Sequence, residues 1–318
     1  MLRNVILLLA GFLCLSCVTE MEVPVASYED KLYLECFPES GSDSVLVWVY
    51  TVLPINNNTP KQSLEKVSIR LHLNDAVYTY TNVPLINNMY NCHLDRCLTE
   101  GDLIGLEVEA EGFPSIRATS VVPRGPDFQL QMSIVENRLN MQVGLKGVAK
   151  SNYYALCLKS KYEYERISWD SGQRMQTFEE MPFEPVYDFY TPVLSLEDEF
   201  MGFETFSSVR LNGKDMIVFE DGSTKDLNVS LVLPYMQDRY DIISGRDTTI
   251  RRIRYELEVF NISRSAYKSL NPKINQTLVK LGAAAPSLDY TEVEGGFGVM
   301  HCMGKAVSGW RSNIINPL

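Results

Sequence analysis

The sequence predicts a mainly β protein: an amino-terminal immunoglobulin-like β-sandwich followed by a larger β-rich domain with a short helical segment. Three observations predict it. Apolar residues recur with a period of two from Tyr28 onward, which is the signature of half-buried strands. Glycine, proline, asparagine and aspartate interrupt these runs at short intervals, as turns between antiparallel strands require. No fixed-length repeat runs through the chain, which argues against a solenoid or a propeller.

The first element precedes the fold. Arg3 supplies a positive charge, and Val5 to Leu13 form an uninterrupted apolar run far shorter than the roughly 20 residues that cross a bilayer as a helix. A short apolar segment with a basic start and small residues near its end reads as a secretory signal. Leu15-Ser16-Cys17 then resembles a lipobox, in which a small residue precedes the cysteine that becomes lipidated, although Cys14 stands where leucine is usual. The spacing Cys14-x-x-Cys17 also suits a redox motif, but that chemistry needs a helix start after a strand in a folded domain. An apolar leader supplies neither. Residues 1–16 are therefore expected to be a lipoprotein signal peptide and 17–27 an anchor and tether, with Cys17 as the lipid-anchor residue.

Residues 28–123 carry the predicted sandwich. KLYLECF (31–37) and SVLVWVYTVL (44–53) alternate, and KVSIRLHL sets Val67, Ile69, Leu71 and Leu73 on one face against Ser68, Arg70 and His72. LEVEAEGF repeats the pattern with Leu106, Val108 and Ala110 inward, and SIRATSVV (115–122) follows. These short strands with turns between them fit two packed sheets. Pro123-Arg124-Gly125-Pro126 cannot continue a ladder, so the domain boundary is placed there.

Residues 124–318 read as a second β-rich domain. FQLQMSIV (128–135) and RLNMQVGL (138–145) alternate around Glu136-Asn137, and further strands read at 152–160, 214–220, 226–235 and 253–262. One helical passage, 263–282, opens with Ser263 as an N-cap and is interrupted by Pro272. Between about 169 and 206 the alternation lapses into an insertion rich in aromatics, acids and prolines. Long irregular insertions in compact domains are uncommon and often functional. Trp169, Phe183, Tyr187, Phe189 and Tyr190 are the candidate ligand contacts there, since rings held in a polar loop can stack on a sugar or a peptide. The plainer alternative is that they pin the loop to its own domain.

Composition narrows the chemistry. The 318-residue chain has a net charge of −11, whereas nucleic-acid binding needs clustered lysine and arginine that release counterions. Seven cysteines are too few for a disulfide scaffold of this length. Only Cys92 and Cys97, in NCHLDRCL, look like a local pair; a bridge there would contribute roughly 2 kcal/mol in the chain-entropy model. A metal held by Cys92, His93 and Cys97 is the weaker reading, because neighbours on a strand point to opposite faces. There are three histidines, and no HExxH, Gly-x-Ser-x-Gly or Walker sequence occurs. The zinc-peptidase, serine-hydrolase and P-loop templates thus lack their signatures.

Other clusters have ordinary explanations. Gly295-Gly296-Phe297-Gly298 lacks the spacing of a phosphate cradle and reads as a turn into a buried strand. Glu197-Asp198-Glu199 reads as a solvated acidic turn rather than a calcium loop. Arg246, Arg251, Arg252 and Arg254 form the basic concentration, able to meet an acidic partner or the insertion. No catalytic residue, metal ligand or cofactor is assigned.

Several blocks together resemble the domain of unknown function 4249 family of Bacteroidota outer-membrane lipoproteins. They are CLSCVTEMEVP, EGDLIGLEVEAEGFPSIRATSVVP (100–123), NGKDMIVFE (212–220), LEVFNISRSAYKSLN (257–271) and TEVEGGFGVM (291–300). The resemblance implies an outer-membrane, cell-surface accessory role beside a TonB-dependent transporter, and it carries no catalytic residues to transfer. The expected function is non-enzymatic binding of a nutrient such as a glycan or peptide, with the membrane reached through the lipid anchor. A structural or adhesive surface subunit, or a glycan- or peptide-acting hydrolase, are the alternatives.

Overall fold

The computed structural model describes residues 31–52, 64, 66–81, 88–136, 138–146, 152–170, 173–183, 207–221, 227–234, 239–244, 247–270 and 292–312. These are mostly strand, with one short helix, and a sandwich-like arrangement of several sheets.

In the first body, β1 (Lys31–Cys36), β2 (Ser44–Val52) and β5 (Met89–His93) pair antiparallel in sequence-distant order β1-β2-β5. Facing them is a sheet ordered β4-β3-β6-β7, built from β3 (Ser68–Leu73), β4 (Ala76–Thr81), β6 (Leu103–Glu109) and β7 (Ile116–Val121). The strict alternation of buried and half-buried residues in β1 and β3 aims Leu32, Leu34 and Cys36 at Ile69, Leu71 and Leu73. Burying each such side chain contributes about 1.5–3 kcal/mol relative to leaving it exposed.

The second body opposes two sheets. β8 (Phe128–Val135), β9 (Arg138–Leu145) and β14 (Leu227–Pro234) form one, ordered β14-β9-β8. The other is centred on two long strands, β10 (Asn152–Asp170) and β16 (Asp247–Ile262), which pair from Tyr153↔Ile262 to Ile167↔Thr248. Around them stand β11 (Gln173–Phe183), β12 (Ser207–Leu211), β13 (Lys214–Asp221), β15 (Arg239–Ser244), β18 (Gly304–Val307) and β19 (Arg311–Ser312). Leu139, Met141, Val143 and Leu145 of β9 fill the space against Tyr154, Leu156, Leu257 and Val259. The helix α1 (Arg264–Leu270) lies on the opposite face of the large sheet, and the Ser263 hydroxyl accepts the Ala266 amide at 3.0 Å, the expected N-cap. The continuation of the predicted helix beyond Leu270 lies outside the described residues.

The carboxy-terminal segment departs from a division at residue 123. β17 (Phe297–Met300) joins the first body by pairing parallel to β1, with Tyr33↔Phe297 and Cys36↔Met300. Its approach is so close that a Cβ at Gly298, whose φ is +122°, would fall 1.8 Å from the Leu34 carbonyl oxygen. Past β17 the chain turns into β18 of the second body, and a Cβ on Gly304 would sit 2.4 Å from the Arg124 carbonyl oxygen. The two bodies share a third core, in which Phe37, Val299 and Met303 pack with Ala155, Val218, Phe260 and Tyr267. Glycine is required at both crossings because backbone lies where a side chain would be.

The insertion also differs from expectation. Residues 173–183 are not irregular but form β11, paired with β10 from Asp170↔Gln173 to Ser160↔Phe183. QRMQTFEEMPF is polar on both faces of much of its length, with Arg174, Gln176, Glu179 and Glu180 among its members. Hydrophobic alternation therefore gives no strand signal, and the ladder with β10 supplies the order instead.

Candidate functional site

The sequence-predicted contacts do not assemble into a described site. Trp169 stands on β10 opposite Arg174, and Phe183 ends β11 opposite Ser160. Tyr187, Phe189 and Tyr190 lie outside the described residues, as does the anchor residue Cys17. Cys92 and Cys97 are free thiols rather than a bridge. Cys92 is buried in the sandwich core opposite Val45, where burial pushes its thiol up to about 12. Cys97 is exposed on the following loop.

That loop is held by a carboxylate instead of a disulfide. Asp102 accepts from Arg96 Nη1 at 2.7 Å and Nη2 at 2.8 Å, from the Thr99 amide at 2.8 Å and hydroxyl at 3.0 Å, and from Asn74 Nδ2 at 2.9 Å. The Arg96 guanidinium holds the Asp102 carboxyl well below the usual range against the opposing effect of burial, with Thr99 and Asn74 adding to it. Two members of the arginine cluster are likewise paired internally, while the Arg251 Nε has no hydrogen-bond partner among the described residues and Arg246 lies outside them. Arg252 pairs with Glu165 at 2.7 Å and Arg254 with Glu163 at 2.8 Å, while Arg251 lies 4.9 Å over the Tyr162 ring on the opposite face. Cross-strand neighbours on β10 thus take up the charge that would otherwise meet a partner.

Where the bodies meet, Glu258 (2 % exposed) and Glu39 (6 %) are embedded among lysines. Lys159 Nζ reaches Glu258 at 2.5 Å, and Lys214 Nζ bridges Glu39 at 2.5 Å and Glu258 at 3.2 Å. Burial raises the Glu258 carboxyl, but Lys159, Lys214 and Lys305 outweigh it and hold the group below its ordinary value. Both carboxylates are paired, so the cluster fixes the junction and leaves no reactive group.

The remaining candidate is the outward face of the first sheet. Alternation that aims Leu32, Leu34, Val47 and Val49 inward places Tyr33 and Glu35 of β1 with Trp48 and Tyr50 of β2 on the other side. The registers Tyr33↔Tyr50 and Glu35↔Trp48 bring the four together, and Phe297 of β17 extends the row beside Tyr33. The Trp48 and Tyr50 rings lie 6.2 Å apart with planes only 15° from parallel. Tyr33 tilts against Tyr50 at 6.4 Å and 47°. Lys31 sits 5.4 Å over the Phe297 ring.

Glu35 lies half-buried among these rings, with no lysine or arginine at ion-pair distance among the described residues. Burial pushes its carboxyl above the ordinary range, and burial together with Glu35 and Tyr50 pushes the Tyr33 phenol up to about 12. Sheet faces turned away from the core normally carry polar residues. Aromatic rings around an unpaired carboxylate offer stacking surface and a hydrogen-bond acceptor together. The signal was present in LYLEC and LVWVY, where the outward positions are Tyr33 and Glu35 in the first and Leu46, Trp48 and Tyr50 in the second.

His301 is a further buried titratable group, 4 % exposed behind α1. Its Nδ1 stands 3.2 Å from the Ser263 hydroxyl and 3.3 Å from Glu292 Oε2. Serine and carboxylate meet the same ring nitrogen and the serine already caps α1, so this is not a nucleophile–base–acid relay.

Fold and face together define a double-sandwich β protein with an aromatic and carboxylate surface on its first sheet. The chain belongs to the family described as a domain of unknown function (DUF4249), which it matches over residues 18–307. No curated protein matches it. Among solved structures it is similar to one titled "Complete structure of manganese lipoxygenase of Gaeumannomyces graminis and partial structure of zonadhesin of Komagataella pastoris". The two are 9 % identical, with 73 % of this chain and 89 % of that one covered, at a TM-score of 0.20. Among the described residues no helix is long and apolar enough to cross a membrane.

Proposed function

We propose that the chain is a non-enzymatic, cell-surface lipoprotein of a Bacteroidota-type outer membrane that binds a glycan and passes it to a TonB-dependent transporter. The observation that carries this reading is the near-parallel pair Trp48 and Tyr50 beside Glu35, which has no cation at ion-pair distance among the described residues. A stacked pair of rings on a strand supplies apolar surface for the face of a sugar, and the carboxylate suits its hydroxyls. The leader and Leu15-Ser16-Cys17 support the lipid anchor. The transporter partnership rests on the family resemblance.

The test is retention of the full chain on immobilised oligosaccharides, with immobilised peptides as the parallel arm. Glycan retention that falls about tenfold in Trp48→Ala, about 1.4 kcal/mol, supports the proposal. Peptide retention alone, or retention unaffected by this substitution, contradicts it.

A further inference from the structure

We infer that β8 is a pairing edge through which two copies of this chain join their three-stranded sheets into one. β8 pairs with β9 on one side and with no strand on the other among the described residues. Its sequence, FQLQMSIV, contains no charge and no proline. Exposed edges are ordinarily protected by such residues, by short length or by a cover.

The other edges among the described residues are protected. β7 carries Arg117, β12 Arg210, β11 Glu179 and Glu180, and β15 Arg239 and Asp241; β14 ends at Pro234, and β5 and β17 are only five and four residues long. β4 is uncharged but closed, because Tyr78 donates to Asp95 and Tyr80 donates to the His93 carbonyl across the gap between the sheets. On β8 two large apolar side chains remain uncovered instead, Ile134 at 38 % and Val135 at 54 % exposure.

The register decides the occupant. The Lys146 amide donates to the Asp127 carbonyl across the 128↔145 ladder, so the odd residues of β8 direct their backbone groups toward β9. Alternation then turns the amides and carbonyls of Phe128, Leu130, Met132 and Ile134 toward the free side. An antiparallel second copy centred on Gln131 sets Phe128 opposite Ile134 and Leu130 opposite Met132. All four free backbone pairs are satisfied, and core-facing side chains meet core-facing ones. Gln129 falls opposite Ser133 on the outer face, and Gln131 opposite itself. A closed two-fold contact of this kind uses one patch twice and stops at two copies. An unrelated extended peptide has no such reason to match both the backbone parity and the apolar face.

Full chain carrying Cys97→Ser is expected to sediment as a dimer in detergent. In that background Gln131→Cys forms an intermolecular disulfide on mild oxidation, because residues facing each other in a non-hydrogen-bonded pair stand about 4.5 Å apart. Gln129→Cys, displaced from its own copy in this register, does not. Gln131→Lys sets two like charges face to face and yields a folded monomer whose melting temperature, unlike that of the dimer, does not depend on protein concentration. A wild-type monomer at every concentration measured overturns the inference, and so does a dimer that survives Gln131→Lys or is cross-linked equally from residue 129.

Discussion

At the scale of single residues, burial accounts for most of the unusual chemistry. Burial pushes the thiols of Cys157 and Cys302 up to about 11, as it does Cys92 to about 12, and Cys36 well above its ordinary value. The thiolate is the reactive form, so a maleimide applied to native protein is expected to label Cys97 among the described cysteines. Labelling of Cys92 before unfolding contradicts the placement. His301 gives a pH signature. Its ordinary value is 6.5, and burial lowers it against the opposing pull of Glu292. The unfolded chain therefore takes the proton more readily, and this stability is complete above about 6.5 and falls as pH drops toward the lowered folded value. Melting temperatures between pH 7 and 5 are expected to fall more steeply for the native chain than for His301→Gln. Asp102→Ala leaves Arg96 and the Thr99 amide without their acceptor and is expected to cost about 2 kcal/mol by denaturant unfolding. The sequence placed Cys92 and Cys97 in proximity, but proximity along a chain does not reveal which thiol faces the core. The Asp102 acceptor cluster was similarly illegible, since its donors come from residues 74, 96 and 99.

Among the elements, legibility followed the width of the apolar stripe. β1, β3, β6 and β9 each bury alternate residues and were readable from period two alone. In β11 and the outer part of β10, and in the stretch of β16 that pairs with it, Glu163, Tyr164, Arg251 and Arg252 stand in place of aliphatic residues, and the ladder defines these strands. β17 was anticipated as a buried strand after a glycine turn, but its parallel partner β1 is more than 260 residues earlier in the chain, a distance no local pattern encodes. Gly298→Ala is expected to destabilise the fold by more than about 3 kcal/mol, since the added carbon must displace the Leu34 carbonyl. Hydrogen exchange localised to β1 and β17 checks it; unchanged protection there shows that the close approach does not constrain the strand.

For the whole molecule, the return of β17 to the first sandwich and of β18 to the second ties the two bodies through one terminal segment. The Glu39, Lys214 and Glu258 network crosses the same junction. The body is thereby a single unit held, under the proposed function, at the end of a lipidated tether. Cys17→Ser is expected to move the protein from the membrane to the soluble fraction, and unchanged membrane retention contradicts the anchor. The insertion between about 169 and 206 is dense in aromatic rings. The first sheet offers fewer rings, but the fold gathers Tyr33, Trp48, Tyr50 and Phe297 on one face around Glu35. The most direct measurement is calorimetric titration of the full chain in detergent with an oligosaccharide retained in the binding screen. A saturable isotherm weakened about tenfold by Trp48→Ala and by Glu35→Gln, with folding intact, is expected. An isotherm identical in all three proteins contradicts it.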